Sequence, residues 1–246
     1  MHNIKMIIFN KIVKLFRILR NKTWRKGIIH NIAANIELES LIKNLKVNTF
    51  FDIGSNKGQF ILLVDGLFKN KKIYSVEPIK ELYLKQKKFF GNNKNISYFN
   101  VGIGSQIKKK NLFITNRVDS SSFLQTKLSK KNSDYKIMQK RQISIKTLDS
   151  LFSTIDLKNP SLIKIDVQGY ELEVLKGGMK LLKKIDYILI EVSDKQLYLG
   201  QALESEIEKF LRDINFYRID ENLPIIIADY GVVQKDILFK NNKSNE

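Results

Sequence analysis

The sequence predicts an α/β fold, with a mostly parallel β-sheet and helices on both of its faces. Two patterns lead to this prediction. Short runs rich in β-branched and aromatic residues alternate along the chain with longer amphipathic runs, and glycine or proline follows several of them. The length of 246 residues suits a single domain of this class, and 43% hydrophobic residues exclude a wholly disordered chain.

The elements follow in order from residue 47. The first strand candidate ends in glycine, the second is stopped by Pro78, and the helix after it is ended by Gly91. Strands are predicted over residues 47–54, 72–78, 95–104, 161–169, 186–193, 216–220 and 232–240. Helices are predicted over residues 60–68, 79–90, 147–152, 170–184 and 202–214. Gly177 and Gly178 are expected to break the helix over residues 170–184.

Three further segments complete the predicted organisation. Residues 1–36 form a basic, amphipathic, helical N-terminal extension, and residues 37–240 form the main domain. Within that domain, residues 105–147 are polar and lysine-rich, and we expect an irregular insertion that contains a hairpin. Residues 241–246 are expected to be a frayed tail.

The charge of the chain is +18, and it is unevenly placed. Residues 1–36 carry eight basic residues and no acid, and residues 105–147 carry eleven basic residues and two acids. A basic surplus attracts nucleic acid, anionic lipid or acidic substrates, although a lysine-rich coding bias would give the same composition. The absence of cysteine excludes disulfides, thiolate zinc sites and a cysteine nucleophile. Only two histidines are present, which excludes a histidine-rich metal site.

The N-terminal run over residues 4–20 has apolar residues at the spacing of one helix face, with lysines and arginines between them. The run is broken too often for a transmembrane span and lacks the cleavage site of a secretory signal. Two interpretations stay open: a helix packed on the domain, or an interfacial helix on an anionic membrane. Together with the lack of cysteine, the second predicts a cytoplasmic protein, peripheral on the inner membrane face.

The segment after the first strand reads DIGSNKG, from Asp52 to Gly58. Its glycines allow a tight turn and a close approach of backbone to ligand, and its spacing differs from the GxGxxG and GxxxxGK[ST] phosphate-binding loops. An acid in this loop favours a cationic or hydroxyl-bearing ligand, whereas an ordinary strand-to-helix turn is the alternative. The candidate ligand-binding residues are Asp52, Gly54, Ser55, Asn56 and Gly58.

Acids and glycines also follow the other strands. Glu77, after the second strand, is placed to accept hydrogen bonds from both ribose hydroxyls of an adenosine. Gly102 and Ile103, after the third, are candidates to line an adenine edge. Asp166 and Glu191 stand at the ends of two strands predicted to be neighbours. These two carboxylates are candidates to take a proton from a hydroxyl, to bind a divalent cation, or to grip sugar hydroxyls.

A series of blocks carries a resemblance to a known family. The blocks are FFDIGSNKGQF, YSVEP, NVGIG, SSSF, ISIKTLDSL, LIKIDVQGYELEVLKGG, ILIEVS and QKDILF, over residues 47–240. In their order and spacing they resemble the FkbM family of S-adenosylmethionine-dependent methyltransferases. The block LIKIDVQGYELEVLKGG is the most specific of them, and the basic N-terminus lies outside the resemblance.

This resemblance implies a Rossmann-like class I methyltransferase fold with seven strands, and S-adenosyl-L-methionine as the cofactor. It carries cofactor binding onto Asp52, Gly54, Asn56 and Gly58, and ribose binding onto Glu77. It implies an O-methyltransferase acting on a hydroxyl of a glycan, glycolipid or related metabolite, and we expect Asp166 to be the base, with Glu191 second. An RNA methyltransferase, a metal-assisted enzyme and a non-catalytic nucleotide-binding scaffold remain alternatives; no base-flipping motif such as NPPY favours the first.

Overall fold

The structure is a computed structural model, and it describes residues 14–128, 133–227 and 231–242. The strands are β1 (Thr49–Ile53), β2 (Lys72–Val76), β3 (Ile96–Phe99), β4 (Gly102–Ile103), β5 (Lys108–Thr115), β6 (Ile137–Lys146), β7 (Ser161–Ile165), β8 (Tyr187–Ser193), β9 (Phe216–Glu221), β10 (Ile225–Ile227) and β11 (Val232–Asn241). The helices are α1 (residues 14–20), α2 (Lys22–Ile29), α3 (Glu39–Ile42), α4 (Gln59–Leu67), α5 (Lys80–Phe90), α6 (Leu148–Leu151), α7 (Glu171–Lys176), α8 (Met179–Leu182) and α9 (Glu204–Asp213).

The main sheet confirms the predicted α/β class. Its order is β3-β2-β1-β7-β8-β11, with the first five strands parallel and β11 antiparallel. The chain order reverses between β1 and β7, so the carboxyl ends of these two strands flank the switch point where α/β sheets bind ligands. Both strands are buried at every position, which explains why they are mostly apolar, with Asp52 and Lys164 as their charged residues.

The far edge of the sheet contains one strand more than predicted. The sheet contains eight strands rather than the seven expected, because residues 225–227 form a strand that the sequence did not predict. Both β9 and β10 pair with the edge of β11 that faces away from β8, β9 at its C-terminal part and β10 at its N-terminal part. The eight strands therefore occupy seven positions.

One prediction for the middle of the chain is wrong, and a second is confirmed in part. The run over residues 95–104 is not one strand: β3 stays in the main sheet, and β4 pairs with β6 in a separate three-stranded sheet. The chain is tied at the break, since the Asn100 side chain donates to the backbone oxygens of Glu77 and Pro78. The hairpin predicted within residues 105–147 is present, since β5 and β6 form an antiparallel pair of eight and ten residues, and these strands make the segment more regular than expected.

The predicted helix over residues 170–184 breaks at Gly177 and Gly178, which separate α7 from α8. A Cβ at Gly177 would lie 2.1 Å from the backbone oxygen of Gly104. The glycine therefore also allows the end of α7 to contact the backbone at Gly104. Residue 241, the first of the predicted tail, belongs to β11, and residues 243–246 of that tail lie outside the described residues.

The N-terminal segment packs on α4. Trp24 and Gly27 of α2 are buried against this helix, and the Trp24 ring fills the space beside Gly66. In α1, Ile18 is buried whereas Leu15, Phe16 and Leu19 are exposed. The rest of the predicted helix, residues 4–13, lies outside the described residues, and no helix in the described part of the chain is long and apolar enough to cross a membrane.

Candidate active site

A cavity of about 480 Å³ opens at the carboxyl ends of β1, β2, β7 and β8. This volume lies within the range of small-molecule sites, about 300–1,000 Å³. The cavity is lined by most of the candidate residues of the sequence: Asp52, Gly54, Ser55, Asn56, Glu77, Gly102, Ile103, Asp166 and Glu191. Gly58 is the candidate that does not line it.

The loop after β1 has the tight turn that its glycines predicted. Gly54 and Gly58 adopt φ angles of +81° and +87°, and Asn56 is also left-handed, at +49°. A Cβ at Gly54 would lie 1.9 Å from the backbone oxygen of Asp166, and a Cβ at Gly58 would lie 2.6 Å from the Phe90 ring. Gly54 is therefore required at the cavity wall, whereas Gly58 is required for packing beneath it.

Asp52 is fully buried, and neither of its carboxylate oxygens has a hydrogen-bond partner. Burial raises the pKa of Asp52 to about 6, against the opposing charge of Lys164. The side-chain oxygen of Asn56, in the loop that follows β1, is also buried without a partner. Unpaired buried polar atoms are costly, so two such residues only four positions apart are what a site that accepts donors from a ligand requires.

Glu77 is held in place by two backbone N–H groups. Asn56 donates to Oε2 over 2.7 Å, and Ile79 donates to Oε1 over 2.8 Å. Burial raises the pKa of Glu77 to about 8, although these two hydrogen bonds favour its charged form. Each carboxylate oxygen keeps a further lone pair, so this orientation leaves Glu77 able to accept from a pair of hydroxyls.

The remaining candidates on this side of the cavity have mainly structural contacts. The Ser55 hydroxyl lies 2.8 Å from the Ser75 hydroxyl and accepts from the Gln86 amide, so it fixes the loop on β2 and α5. Gly102 makes room for the Phe123 ring, whose nearest atom would lie 2.5 Å from an added Cβ. Ile103 is buried in the apolar core behind the cavity.

Asp166 and Glu191 come together as predicted, and a third residue joins them. The Gln168 side-chain nitrogen Nε2 donates to Asp166 Oδ1 over 2.8 Å and to Glu191 Oε2 over 3.1 Å. Gln234 also lies 3.3 Å from Glu191 Oε2. Burial, and after it the charge of Asp166, raise the pKa of Glu191 well above its usual value.

Gln168 is itself fixed from several sides. It adopts a left-handed φ of +57°, and its backbone oxygen accepts from the Ser122 hydroxyl over 2.6 Å. The Tyr198 hydroxyl lies 3.0 Å from Gln168 Oε1 and 2.9 Å from the Ser120 backbone oxygen. The Glu171 carboxylate accepts from the backbone of residues 167 and 169, which closes the turn around Gln168. The amide that separates the two acids therefore has a defined orientation.

Lys164 is the main functional residue that sequence reasoning missed. It lies on β7 in register with Asp52 on β1, and its Nζ is 3.0 Å from Asp166 Oδ2. It is almost fully buried, and the charges of Asp166 and Asp52 raise its pKa against the effect of burial. A lysine inside the apolar run SLIKI was a signal available in the sequence, since buried lysines are rare unless they are paired.

These residues fit the expected methyl donor. S-adenosylmethionine carries cationic groups that a carboxylate can balance, and the unpartnered Asp52 carboxylate lies in the cavity wall. The backbone at Gly54 is open to close approach, and Glu77 is oriented for a ribose diol. In the described parts of the chain, no group of three or more histidine, aspartate or glutamate side chains is placed to hold a metal ion.

Comparison with known proteins gives matches at three levels. The family model "Methyltransferase FkbM domain" matches residues 52–217. A hexuronic acid methyltransferase from Haloferax volcanii is 33% identical over 94 residues, which are 35% of this chain and 39% of that protein. A 2-O-methyltransferase from Sinorhizobium fredii is 44% identical over 61 residues, which are 24% of this chain and 25% of that protein.

Among solved structures, the magnesium protoporphyrin IX methyltransferase of Synechocystis PCC 6803 matches with a TM-score of 0.47 and 10% identity, covering 89% of this chain and 79% of that one. The aligned regions span well under half the length of the two sequence relatives. The family model, by contrast, covers about two thirds of the chain. It begins at Asp52, near the end of β1, and includes β7, β8 and the cavity-lining residues Lys164 and Glu191 on them. The chain belongs to the FkbM methyltransferase family.

Proposed function

We propose that this protein is an S-adenosylmethionine-dependent O-methyltransferase that acts on a hydroxyl of a glycan, glycolipid or related metabolite. One observation carries the proposal: Gln168 holds two carboxylates at the same cavity in which Asp52 is buried without a partner. The first feature suits proton removal from an acceptor, and the second suits binding of a cationic donor.

On the donor side, the chain supplies binding and orientation. We assign the cationic end of the donor to Asp52, because this carboxylate is otherwise buried without any hydrogen-bond donor. We assign the ribose hydroxyls to Glu77, whose orientation is fixed by the backbone of Asn56 and Ile79. When bound, S-adenosylmethionine supplies an electrophilic methyl group, and alignment of that group with an oxygen nucleophile is the main catalytic task of the protein.

On the acceptor side, the contacts support Glu191 as the proton acceptor rather than Asp166, which the sequence ranked first. Both oxygens of Asp166 are occupied, one by Lys164 and the other by Gln168. Gln168 and Gln234 reach only Oε2 of Glu191, and no hydrogen bond from another described residue reaches its Oε1. A carboxylate with a raised pKa and one open oxygen suits a general base near neutral pH.

The acceptor class is supported by the relatives and by the lining of the cavity. Both sequence relatives are methyltransferases, one named for hexuronic acid and the other for position 2-O. Carboxylates and amides such as Asp119, Gln168 and Gln234 at the cavity are suitable partners for sugar hydroxyls. We therefore place the acceptor among hydroxyl-bearing sugars and their conjugates.

The test combines ligand binding with methyl transfer. Thermal unfolding of the full chain is measured with S-adenosylmethionine, S-adenosylhomocysteine and NAD; a ligand at about 100 times its Kd stabilises by roughly 2.7 kcal/mol. We expect stabilisation by the two sulfur compounds and none by NAD. Transfer of labelled methyl groups is then measured to uronic acids, neutral glycans, glycolipid extracts and RNA. Lack of stabilisation by both sulfur compounds, or transfer to RNA alone, would contradict the proposal.

A further inference from the structure

Helix α1 carries exposed apolar side chains on one side. Leu15, Phe16 and Leu19 are 48%, 65% and 42% exposed, while Ile18 is buried against the domain. At about 3.6 residues per turn, the three exposed residues fall within an arc of about 100°. We call these three residues the α1 patch. Because these side chains are exposed, this apolar face of α1 is not buried against the described part of the domain.

A second set of exposed apolar side chains stands at the cavity itself. Leu223, Ile225 and Ile226, in and before the short strand β10, are 89%, 59% and 65% exposed. We call them the β10 lip. Ile225 and Ile226 line the cavity, so an apolar rim borders an opening whose interior is rich in carboxylates.

The α1 patch is connected to the same opening by a short chain of polar contacts. Lys14, next to Leu15, is 2.6 Å from Glu37 Oε2, and the Asn35 amide donates to Glu37 Oε1 over 2.9 Å. Asn35 lines the cavity. Burial of Ile18 and Trp24 fixes the two N-terminal helices on the domain, so the patch has a set position relative to the opening.

The charged residues of the segment that contains the α1 patch are all basic. Residues 14–36 contain six basic residues and no acid. Lys14 and Arg17 pair with Glu37 and Glu39, whereas Arg20, Lys22, Arg25 and Lys26 form no ion pair with any other described residue. Exposed apolar side chains followed by cations without an ion pair are complementary to an anionic lipid surface, which offers acyl chains beneath phosphate groups.

We propose that the α1 patch and the β10 lip dock on an anionic membrane surface, with the cavity opening beside the lipid headgroups. The acceptor hydroxyl is then carried by a molecule held at that surface, such as a lipid-linked sugar. This second statement rests on the proposed methyltransferase function, whereas the docking itself does not.

The experiment is flotation of the full chain with vesicles. The vesicles contain phosphatidylcholine alone or with phosphatidylglycerol, at low salt and at about 0.5 M salt, where charges are screened beyond about 4 Å. The test variants are Phe16→Ser with Leu19→Ser, and Arg20→Glu with Lys22→Glu. The matched controls are Ile107→Ser with Met138→Ser, and Lys108→Glu with Lys109→Glu, which change exposed residues in or next to the second sheet. Thermal unfolding establishes that each variant is folded.

We expect binding only to anionic vesicles, weakened by salt, and reduced at least about tenfold by either test variant and less than twofold by either control. Absence of vesicle binding, equal binding to neutral vesicles, or equal losses in tests and controls would overturn the proposal. So would salt-sensitive binding of single-stranded RNA, without vesicle binding, that is lost in the test variants. Donor binding is measured separately without vesicles, and its failure would count against the proposed function while leaving the docking result in place.

Discussion

The cavity and the outer surface of this protein carry opposite charges. The chain as a whole is strongly basic, at +18. Among the described residues that line the cavity, however, six are acids and two are basic: Asp52, Glu77, Asp119, Asp134, Asp166 and Glu191, against Arg117 and Lys164. The net charge therefore describes which partners the outer surface attracts. The chemistry of the cavity depends instead on its local excess of carboxylates.

The cavity and the outer surface also differ in the free-energy cost of their charged groups. Inside, burial raises the pKa of Asp52, Glu77 and Glu191, so each charged form is disfavoured unless a ligand or Lys164 compensates. Outside, ion pairs such as Arg141–Glu81 are solvated and contribute little. Substitutions in the cavity should therefore alter donor binding, the rate of methyl transfer and the pH dependence of that rate. Substitutions on the outer surface should leave these three properties unchanged.

The largest effect is expected at Gly54. Gly54→Ala places a Cβ 1.9 Å from the Asp166 backbone oxygen and requires alanine at a φ of +81°. We expect donor binding to fall at least about 100-fold, measured by calorimetry, because the loop must move away from the cavity. Gly200→Ala is the matched control: its φ is +78°, but no atom lies within 4 Å of the added Cβ. It should lose about 1–2 kcal/mol of stability and keep donor binding. Unchanged donor binding in Gly54→Ala would contradict the assigned loop.

The second effect concerns the acid pair. Glu191→Gln should lower kcat about 100-fold or more, because the proton acceptor is removed. In the wild type, activity should fall as the pH drops through the raised pKa of Glu191, since protonation removes the base. Asp166→Asn should move this fall to lower pH, because the charge of Asp166 is one cause of the raised pKa. The measurement is the pH profile of kcat for the three proteins. A profile in Asp166→Asn identical to that of the wild type would argue against Glu191.

The third effect is a gain in the free energy of unfolding when Asp52 is replaced by asparagine. The pKa of this carboxyl is about 6 in the fold against an ordinary 3.8, so its ionisation destabilises the protein increasingly as the pH rises from about 4 to 6. Asp52→Asn should raise the free energy of unfolding by about 1–3 kcal/mol at pH 7.5 and not at pH 4. Donor binding should weaken at least about tenfold. Asp119→Asn, at the exposed rim, is the control and should leave the free energy of unfolding unchanged. A lower free energy of unfolding in Asp52→Asn at pH 7.5 would contradict this account.

The smallest effect is expected on the basic outer surface. Arg141 on β6 contacts Glu81 on α5 through both of its terminal nitrogens, at 2.7 and 3.0 Å. Arg141→Ala should cost less than about 1 kcal/mol in urea unfolding, because the pair is exposed, and donor binding should not change. A larger loss, or any change in donor affinity, would show that the two regions are more closely coupled than their charges indicate.

Much of the cavity wall was visible in the sequence because parallel strands bring their carboxyl ends to one edge. Asp52, Glu77, Asp166 and Glu191 each follow or end an apolar run, and alternation of strands with helices predicts that these ends meet. No knowledge of long-range contacts was needed for that inference, only the periodicity of the elements.

The contacts that were missed depend on residues far apart in the chain or on unusual backbone angles. Gln168 meets Tyr198 across 30 residues and adopts a left-handed φ that is uncommon for glutamine. The separation of β4 from β3 was missed for a similar reason. The sequence over residues 95–104 has the composition of one strand, and the departure of the chain depends on contacts of Asn100 with residues 77 and 78.

The contact between Gly54 and the Asp166 backbone oxygen has a kinetic consequence. The donor loop and the acid pair touch through backbone atoms, and Gln168 continues the connection from Asp166 to Glu191. With the roles proposed above, a shift of residues 54–58 on donor binding would reach Glu191 through Asp166 and Gln168. Such a coupling favours an ordered reaction, in which the donor enters first and the acceptor meets a base already set in place.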